Sequence, residues 1–153
     1  MKKLTKLTAL LLIVVSLLTV AACSSSYGKL KKAFEAEGYA EVQEMESITA
    51  SMKEKLEQEA DDKLAIEFHV MQKATTGLIN LSYVFVIEFN ATDDLVEYIK
   101  GSETAQGFVK DVANDEDVKA FYNSLVEAGY ANGNCLVFSL TDSEEVKDIV
   151  RNA

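Results

Sequence analysis

The sequence predicts an α+β domain in two layers, with a four-stranded, mostly antiparallel sheet and helices packed on one face. Alternating apolar residues run through two β-rich stretches, 63–74 and 78–89, and indicate a hairpin with one buried face. Helical periodicity flanks this hairpin on both sides, so the element order after the first helix is β-α-β-β-α-β-α. A ferredoxin-like βαββαβ topology is the arrangement that we expect from this order.

Apolar residues spaced three or four apart define the helices, and capping residues define their ends. Helices are expected over residues 27–37, 47–60, 93–100, 103–113, 115–128 and 142–151. Two further strands are expected, over residues 39–43 and 134–140. Gly38 and Gly129 are predicted helix stops, Thr92 and Asn114 are candidate N-caps, and a capping box from Thr141 to Glu144 opens the last helix.

The register of the hairpin follows from keeping its apolar residues together. A three-residue loop over 75–77 would set Phe68 opposite Val84 and mix the two faces. A four-residue loop over 74–77 sets Phe68 opposite Tyr83 and keeps the apolar sets on one side. We therefore expect the four-residue loop.

The N-terminal segment has the features of a secretory signal peptide. Residues 1–6 carry three lysines and no acid, and residues 7–20 are almost wholly apolar. Fourteen helical residues reach only about 21 Å, which is short of a bilayer core of about 30 Å. Export is therefore a better interpretation of this segment than a transmembrane helix.

The cleavage region Val20-Ala21-Ala22-Cys23 resembles the lipobox of bacterial lipoproteins. The resemblance implies cleavage after Ala22, a diacylglyceryl group on the sulfur of Cys23 and often a further acyl chain on the new amino group. Two chains would anchor the protein stably at the membrane. The alternative is an ordinary cleaved signal with a chance cysteine. The expected organisation is a signal peptide over 1–22, a lipidated cysteine with a short serine tether over 23–26, and a single domain over 27–153.

The charge of the chain limits its partners. Removing residues 1–22 takes away three of the 15 basic residues and none of the 25 acidic ones, so the net charge changes from −10 to −13. Such acidity excludes nucleic acid, which needs a basic patch. Solubility explains the charge most simply, and attraction to cations or basic partners is the alternative.

No catalytic residue, metal site or cofactor is expected from the motifs, apart from the lipid on Cys23. With Cys23 lipidated, Cys135 is the only thiol left, and its place in a predicted strand favours a small packed residue. The chain has one histidine, His69, and no zinc-site spacing. A polar patch of Asp111, Asn114, Asp115 and Asp117 lacks the central glycine and the late glutamate of an EF-hand calcium loop, and helix capping explains these residues better.

The second face of the hairpin is the candidate binding surface. It is too apolar for a surface that is fully exposed to solvent and too polar for a hydrophobic core. Its candidate binding residues are Glu67, His69, Ser82, Val84 and Glu88. Three interpretations stay open: a face partly covered by a helix, a binding or dimer face, and, least favoured, a catalytic dyad of His69 with Glu67 or Glu88.

We expect a non-enzymatic, membrane-anchored lipoprotein on the extracytoplasmic face of the cell membrane, or on the outer membrane of a Gram-negative host. Its binding partner would be a protein, a peptide or a small ligand. An envelope-acting hydrolase and a cation-binding accessory protein are the alternatives. The sequence leaves open the oligomeric state. The dipeptide Gly-Tyr stands between a predicted helix and a predicted strand at 38–39 and again at 129–130, and the sequence also leaves open whether this similarity is a true repeat.

Overall fold

The structure, a computed structural model, describes residues 25–44, 47–59, 66–75, 80–141 and 144–153. The predicted signal peptide, Cys23 and residues 76–77 of the predicted hairpin loop lie outside these ranges. Ala74 and Thr75, the other two predicted loop residues, belong to a strand instead. None of the helices within them combines the length and the apolar character that crossing a bilayer requires.

The described chain is α+β, which confirms the predicted class. Its helices are α1 Ser26–Ala36, α2 Ser47–Glu59, α3 Thr92–Gly101, α4 Glu103–Phe108, α5 Val118–Ala128 and α6 Glu144–Asn152. Its strands are β1 Ala40–Glu41, β2 Ile66–Thr75, β3 Asn80–Phe89, β4 Ala131–Asn132 and β5 Cys135–Ser139. Helix α1 begins inside the predicted serine tether, because Ser25 caps it by accepting a hydrogen bond from the Gly28 amide at 3.1 Å.

The sheet has five strands in the order β1-β2-β3-β5-β4, and every neighbouring pair is antiparallel. Four strands were expected; the additional one, β4, is only two residues long and pairs with β5 across a turn at Gly133. The ferredoxin-like topology is wrong. In that topology a helix joins two parallel strands that another strand separates, whereas here α2 joins the antiparallel neighbours β1 and β2.

The hairpin of β2 and β3 has the predicted faces and a different register. Phe68 lies opposite Ile87 rather than Tyr83, a shift of four residues along β3. A shift by an even number of residues leaves every side chain on its original face, so the alternating pattern does not distinguish the two registers. The observed register brings Glu67 directly opposite Glu88.

Helices cover both faces of the sheet, which corrects the expectation of one covered face. On one side, α2 to α5 pack on a core that includes Val70, Phe85, Ile87, Leu136 and Phe138. On the other side, α1 and α6 pack on a core that includes Met71, Val84, Val86, Cys135 and Val137. Strands β3 and β5 are apolar on both faces in their central parts, and both faces therefore have to be buried.

The two Gly-Tyr sequences have the same local geometry at the two edges of the sheet. Gly38 and Gly129 take φ values of +86° and +78°, the left-handed conformation that ends a helix. The amides of Tyr39 and Tyr130 then donate to carbonyls five residues earlier, at 3.0 and 2.9 Å. Each tyrosine is followed by a two-residue edge strand.

Two of the predicted N-caps are displaced. Helix α5 begins after Asp117, whose side chain accepts a hydrogen bond from the Ala120 amide at 2.8 Å, and Asn114 is not its cap. Thr92 is the first residue of α3 and follows the N-cap position at Ala91. Both predictions placed the start of the helix within a few residues of its position.

Candidate functional site

Three polar side chains converge at one end of the face that α1 and α6 cover. Glu67 and His69 point to this face from β2, because side chains two residues apart share a face of a strand. Glu88 joins them from β3, because the register places it opposite Glu67. We call these three residues the Glu–His–Glu site.

The ligand atoms of the Glu–His–Glu site all lie within 4.8 Å of one another. The Nε2 atom of His69 is 3.9 Å from Oε2 of Glu67 and 3.8 Å from Oε2 of Glu88. Both distances are too long for hydrogen bonds. Nε2 is buried, and no described residue gives it a hydrogen-bond partner. A buried polar atom without a partner is costly, and it requires an explanation.

Helix α1 and strand β1 hold the other side of the imidazole. The ring of Tyr27 stacks on that of His69, with 3.5 Å between centroids and 10° between planes. The Tyr27 hydroxyl donates to Oε1 of Glu41 at 2.6 Å, and the same oxygen lies 3.5 Å from Nδ1 of His69. Lys31 pairs with the second oxygen of Glu41.

The electrostatic surroundings of Glu41 keep its side chain in the carboxylate form. Hydrogen bonds from Lys31 and then from Tyr27 lower the pKa of Glu41. Burial, and then the hydrogen bond to Glu41, raises the pKa of Tyr27. Glu41 is therefore ionised and Tyr27 is neutral at neutral pH, so the hydroxyl remains a donor to the carboxylate.

The arrangement favours one tautomer of His69. A carboxylate can only accept hydrogen bonds, and Glu41 lies 3.5 Å from Nδ1, closer than Glu67 or Glu88 lies to Nε2. The nearer carboxylate therefore favours the ring hydrogen on Nδ1. The neutral ring then has its lone pair on Nε2, on the side of Glu67 and Glu88. A lone pair facing two carboxylates leaves three acceptors together, and a proton or a metal cation between them would satisfy all three.

The site is open to solvent on one side. The Glu67 side chain is 77% exposed, whereas those of His69 and Glu88 are each 17% exposed. A groove runs alongside it, and its lining residues are Ile66, Glu67, Glu88, Phe89, Asn90 and Asn134. A small ligand can therefore reach the two carboxylates directly.

The structure separates the predicted face residues into two groups. Glu67, His69 and Glu88 come together, with their ligand atoms within 4.8 Å of one another. Val84 is completely buried under α1 and α6, where a partner from solvent does not reach it. Ser82 is partly buried, and its hydroxyl lies 3.4 Å from that of Thr141. Cys23 and Ala22 lie outside the described residues.

Cys135 has the packed environment that its strand position predicts. It is fully buried opposite Glu88 in the β3–β5 pair. Burial, and then the charge of Glu88, raises the pKa of its thiol to about 12. The reactive thiolate is therefore scarce at neutral pH.

Sequence reasoning did not identify Tyr27 and Glu41 as parts of the site. Both were placed in predicted elements, a helix over 27–37 and a strand over 39–43. The missing information was the pairing of β1 with β2, which sets Glu41 opposite Met71 and hence near His69. Two-residue strands carry too little pattern to predict such a pairing.

Comparison with protein-family models, curated proteins and solved structures found no match for this chain. The geometry of the Glu–His–Glu site and the features of the N-terminal segment are therefore the basis for a function. The site indicates which kind of ligand the protein could bind, and the N-terminal segment indicates where in the cell the protein is expected.

Proposed function

We propose that the chain is a lipid-anchored protein of the extracytoplasmic membrane face that binds a ligand at the Glu–His–Glu site without catalysing a reaction. The lipobox at residues 20–23 supports the anchor. One observation carries the binding function: the buried Nε2 of His69 lies between two carboxylates without a hydrogen-bond partner among the described residues.

The size of the open region favours a small cationic ligand over an extended protein partner. Helices α1 and α6 bury the centre of this sheet face, including Val84, Val86 and Val137. The exposed part is the polar end, where Glu67 and Glu88 present two carboxylates. A cation would neutralise these carboxylates and fill the space next to Nε2.

The anchor is tested by membrane fractionation and intact-mass measurement. We expect the wild-type protein in the membrane fraction, released by detergent and not by salt, with a mass that includes the diacylglyceryl group and excludes residues 1–22. Cys23→Ser should abolish lipidation, whereas the matched variant Ser24→Ala should retain it. An unmodified Cys23 thiol in the wild-type protein would contradict the anchor.

Ligand binding is tested by thermal unfolding with three cationic probes: zinc chloride, calcium chloride and spermidine. A ligand at 100 times its dissociation constant stabilises the folded state by about 2.7 kcal/mol, which gives a measurable shift of the melting temperature. We expect at least one probe to stabilise the wild-type protein and not His69→Gln. If no probe separates the two proteins, the binding function is wrong.

A further inference from the structure

We propose that the ligand of the Glu–His–Glu site is a divalent transition-metal ion of the zinc type, bound by Nε2 of His69 and one carboxylate oxygen each of Glu67 and Glu88. This inference rests on the proposed binding function and names its ligand class. It begins from the three ligand atoms that lie within 4.8 Å of one another.

The donor set selects the class of ion. An imidazole nitrogen with carboxylate oxygens suits zinc and its first-row neighbours. Calcium and magnesium prefer oxygen ligands alone and usually more of them. Three protein ligands also leave a coordination position for water or for a ligand from solvent, as in zinc sites that are not closed by four side chains. The exposure of Glu67 places that position on the solvent side.

The distances fit a bridging ion. Two ligands about 2.0–2.1 Å from a tetrahedral metal lie about 3.3 Å apart. The observed separations from Nε2 are 3.9 Å to Glu67 and 3.8 Å to Glu88. Closing them requires movements of about half an ångström. The oxygens of Glu67 and Glu88 lie within 4.8 Å of each other, and rotation of the exposed Glu67 side chain can bring them closer.

The second ring nitrogen of His69 lies beside a carboxylate, as it usually does in metal-binding histidines. Such histidines usually donate their second ring N–H to a carboxylate, which fixes the tautomer and orients the ring. Glu41 is in that position, 3.5 Å from Nδ1, and it is itself held by Tyr27 and Lys31. We assign Glu41 as a positioning residue, because it contacts the imidazole and not the ion.

The charge arrangement also favours a cation. Glu67 and Glu88 are directly opposite each other on neighbouring strands, and like charges in such a pair destabilise a sheet. A bound divalent ion converts this repulsion into attraction to a shared charge. The Nε2 lone pair receives a partner at the same time.

The single histidine of the chain allows a direct test. The protein is purified in detergent without a polyhistidine tag, stripped with EDTA and titrated with zinc chloride. Calorimetry measures the affinity, and nitrogen-15 NMR of the imidazole follows each ring nitrogen. We expect one equivalent of zinc, a shift of the Nε2 resonance and a hydrogen retained on Nδ1.

Variants then assign each ligand. We expect His69→Gln and Glu88→Gln to weaken zinc binding more than about 100-fold, and Glu41→Gln to weaken it about tenfold through the orientation of the ring. In Glu41→Gln the Nε2 resonance should still shift at saturating zinc, whereas a merely structural defect would lose the site. Glu127→Gln, on the exposed face of α5, is the matched control and should bind as the wild type does. Circular dichroism of the metal-free proteins verifies that each variant is folded. Because Glu67 is exposed, the Glu67→Gln variant tests the site with the least structural disturbance.

Three outcomes would overturn the inference. Zinc could bind without shifting the Nε2 resonance, which would place the ion elsewhere. The ring could be doubly protonated and insensitive to zinc, which would make a proton the occupant of the site. Finally, calcium or spermidine could stabilise the protein in a His69-dependent way while zinc does not. That last result would keep the proposed binding function and reject the metal, whereas no His69-dependent probe at all would reject both.

Discussion

Glu41 connects two side chains of α1 with His69 of β2, and its ionisation makes the contribution of these contacts to stability depend on pH. Its two oxygens accept from Tyr27 and Lys31 and lie beside His69. The first two contacts lower the pKa of Glu41, the larger effect coming from Lys31. The folded state therefore binds a proton on this residue less readily than the unfolded chain does.

This difference predicts the pH dependence of stability. The contribution of Glu41 is fully present above the pKa of the unfolded chain, about 4.5, and is lost as the pH falls through the lower folded-state pKa. We expect the stability difference between wild type and Glu41→Gln to shrink between pH 6 and pH 3. Urea unfolding in EDTA at several pH values measures it. Glu44→Gln, in an exposed loop, should keep the wild-type pH dependence, and an unchanged difference down to pH 3 would contradict the assignment.

At the scale of elements, the β2–β3 hairpin decides which polar residues meet. In the predicted register Glu67 faces Val84 and no carboxylate pair forms. In the observed register it faces Glu88, an arrangement that opposes the preference of sheets for opposite charges across a pair. Such local conflicts are expected at functional sites, where binding offsets the lost stability.

This conflict predicts a stabilising substitution. Glu67→Lys replaces a like-charge pair with an opposite-charge pair, so we expect it to raise the free energy of unfolding of the metal-free protein by about 0.5 kcal/mol. Glu44→Lys changes the net charge equally at an exposed loop position and serves as the control. Urea unfolding of both variants in EDTA gives the comparison. Equal effects of the two substitutions would show that the pair itself contributes nothing.

The sequence pattern predicted the faces of the hairpin and not its register, and the physical reason is the period of the strand. The alternation of apolar and polar residues indicates which face of the sheet Phe68 occupies. That face is the same whether Tyr83 or Ile87 lies opposite Phe68. Strand β4 was missed because its two residues are too few to show an alternating pattern. The convergence of Glu67, His69 and Glu88 depends on that register and could not be derived beforehand.

At the scale of the whole molecule, the sheet is buried on both sides and its polar residues are restricted to the ends. The five-stranded sheet places α2 to α5 on one face and α1 with α6 on the other. Helices α1 and α6 cover the surface that carries Val84, which is one of the three interpretations that the sequence left open for this face, while its Glu–His–Glu end stays accessible. The excess of acidic residues adds a long-range attraction for cations to this accessible end.

The start of α1 at Ser26 determines how far the imidazole can be from a lipid on Cys23. Tyr27, which stacks on His69, follows Cys23 by four residues, and four extended residues span at most about 14 Å. With Cys23 acylated, an ion bound at His69 would reside in the layer of water next to the phospholipid headgroups. Anionic headgroups enrich cations in that layer. The protein would then sample metal at the concentration of the bilayer surface and not at that of the surrounding medium.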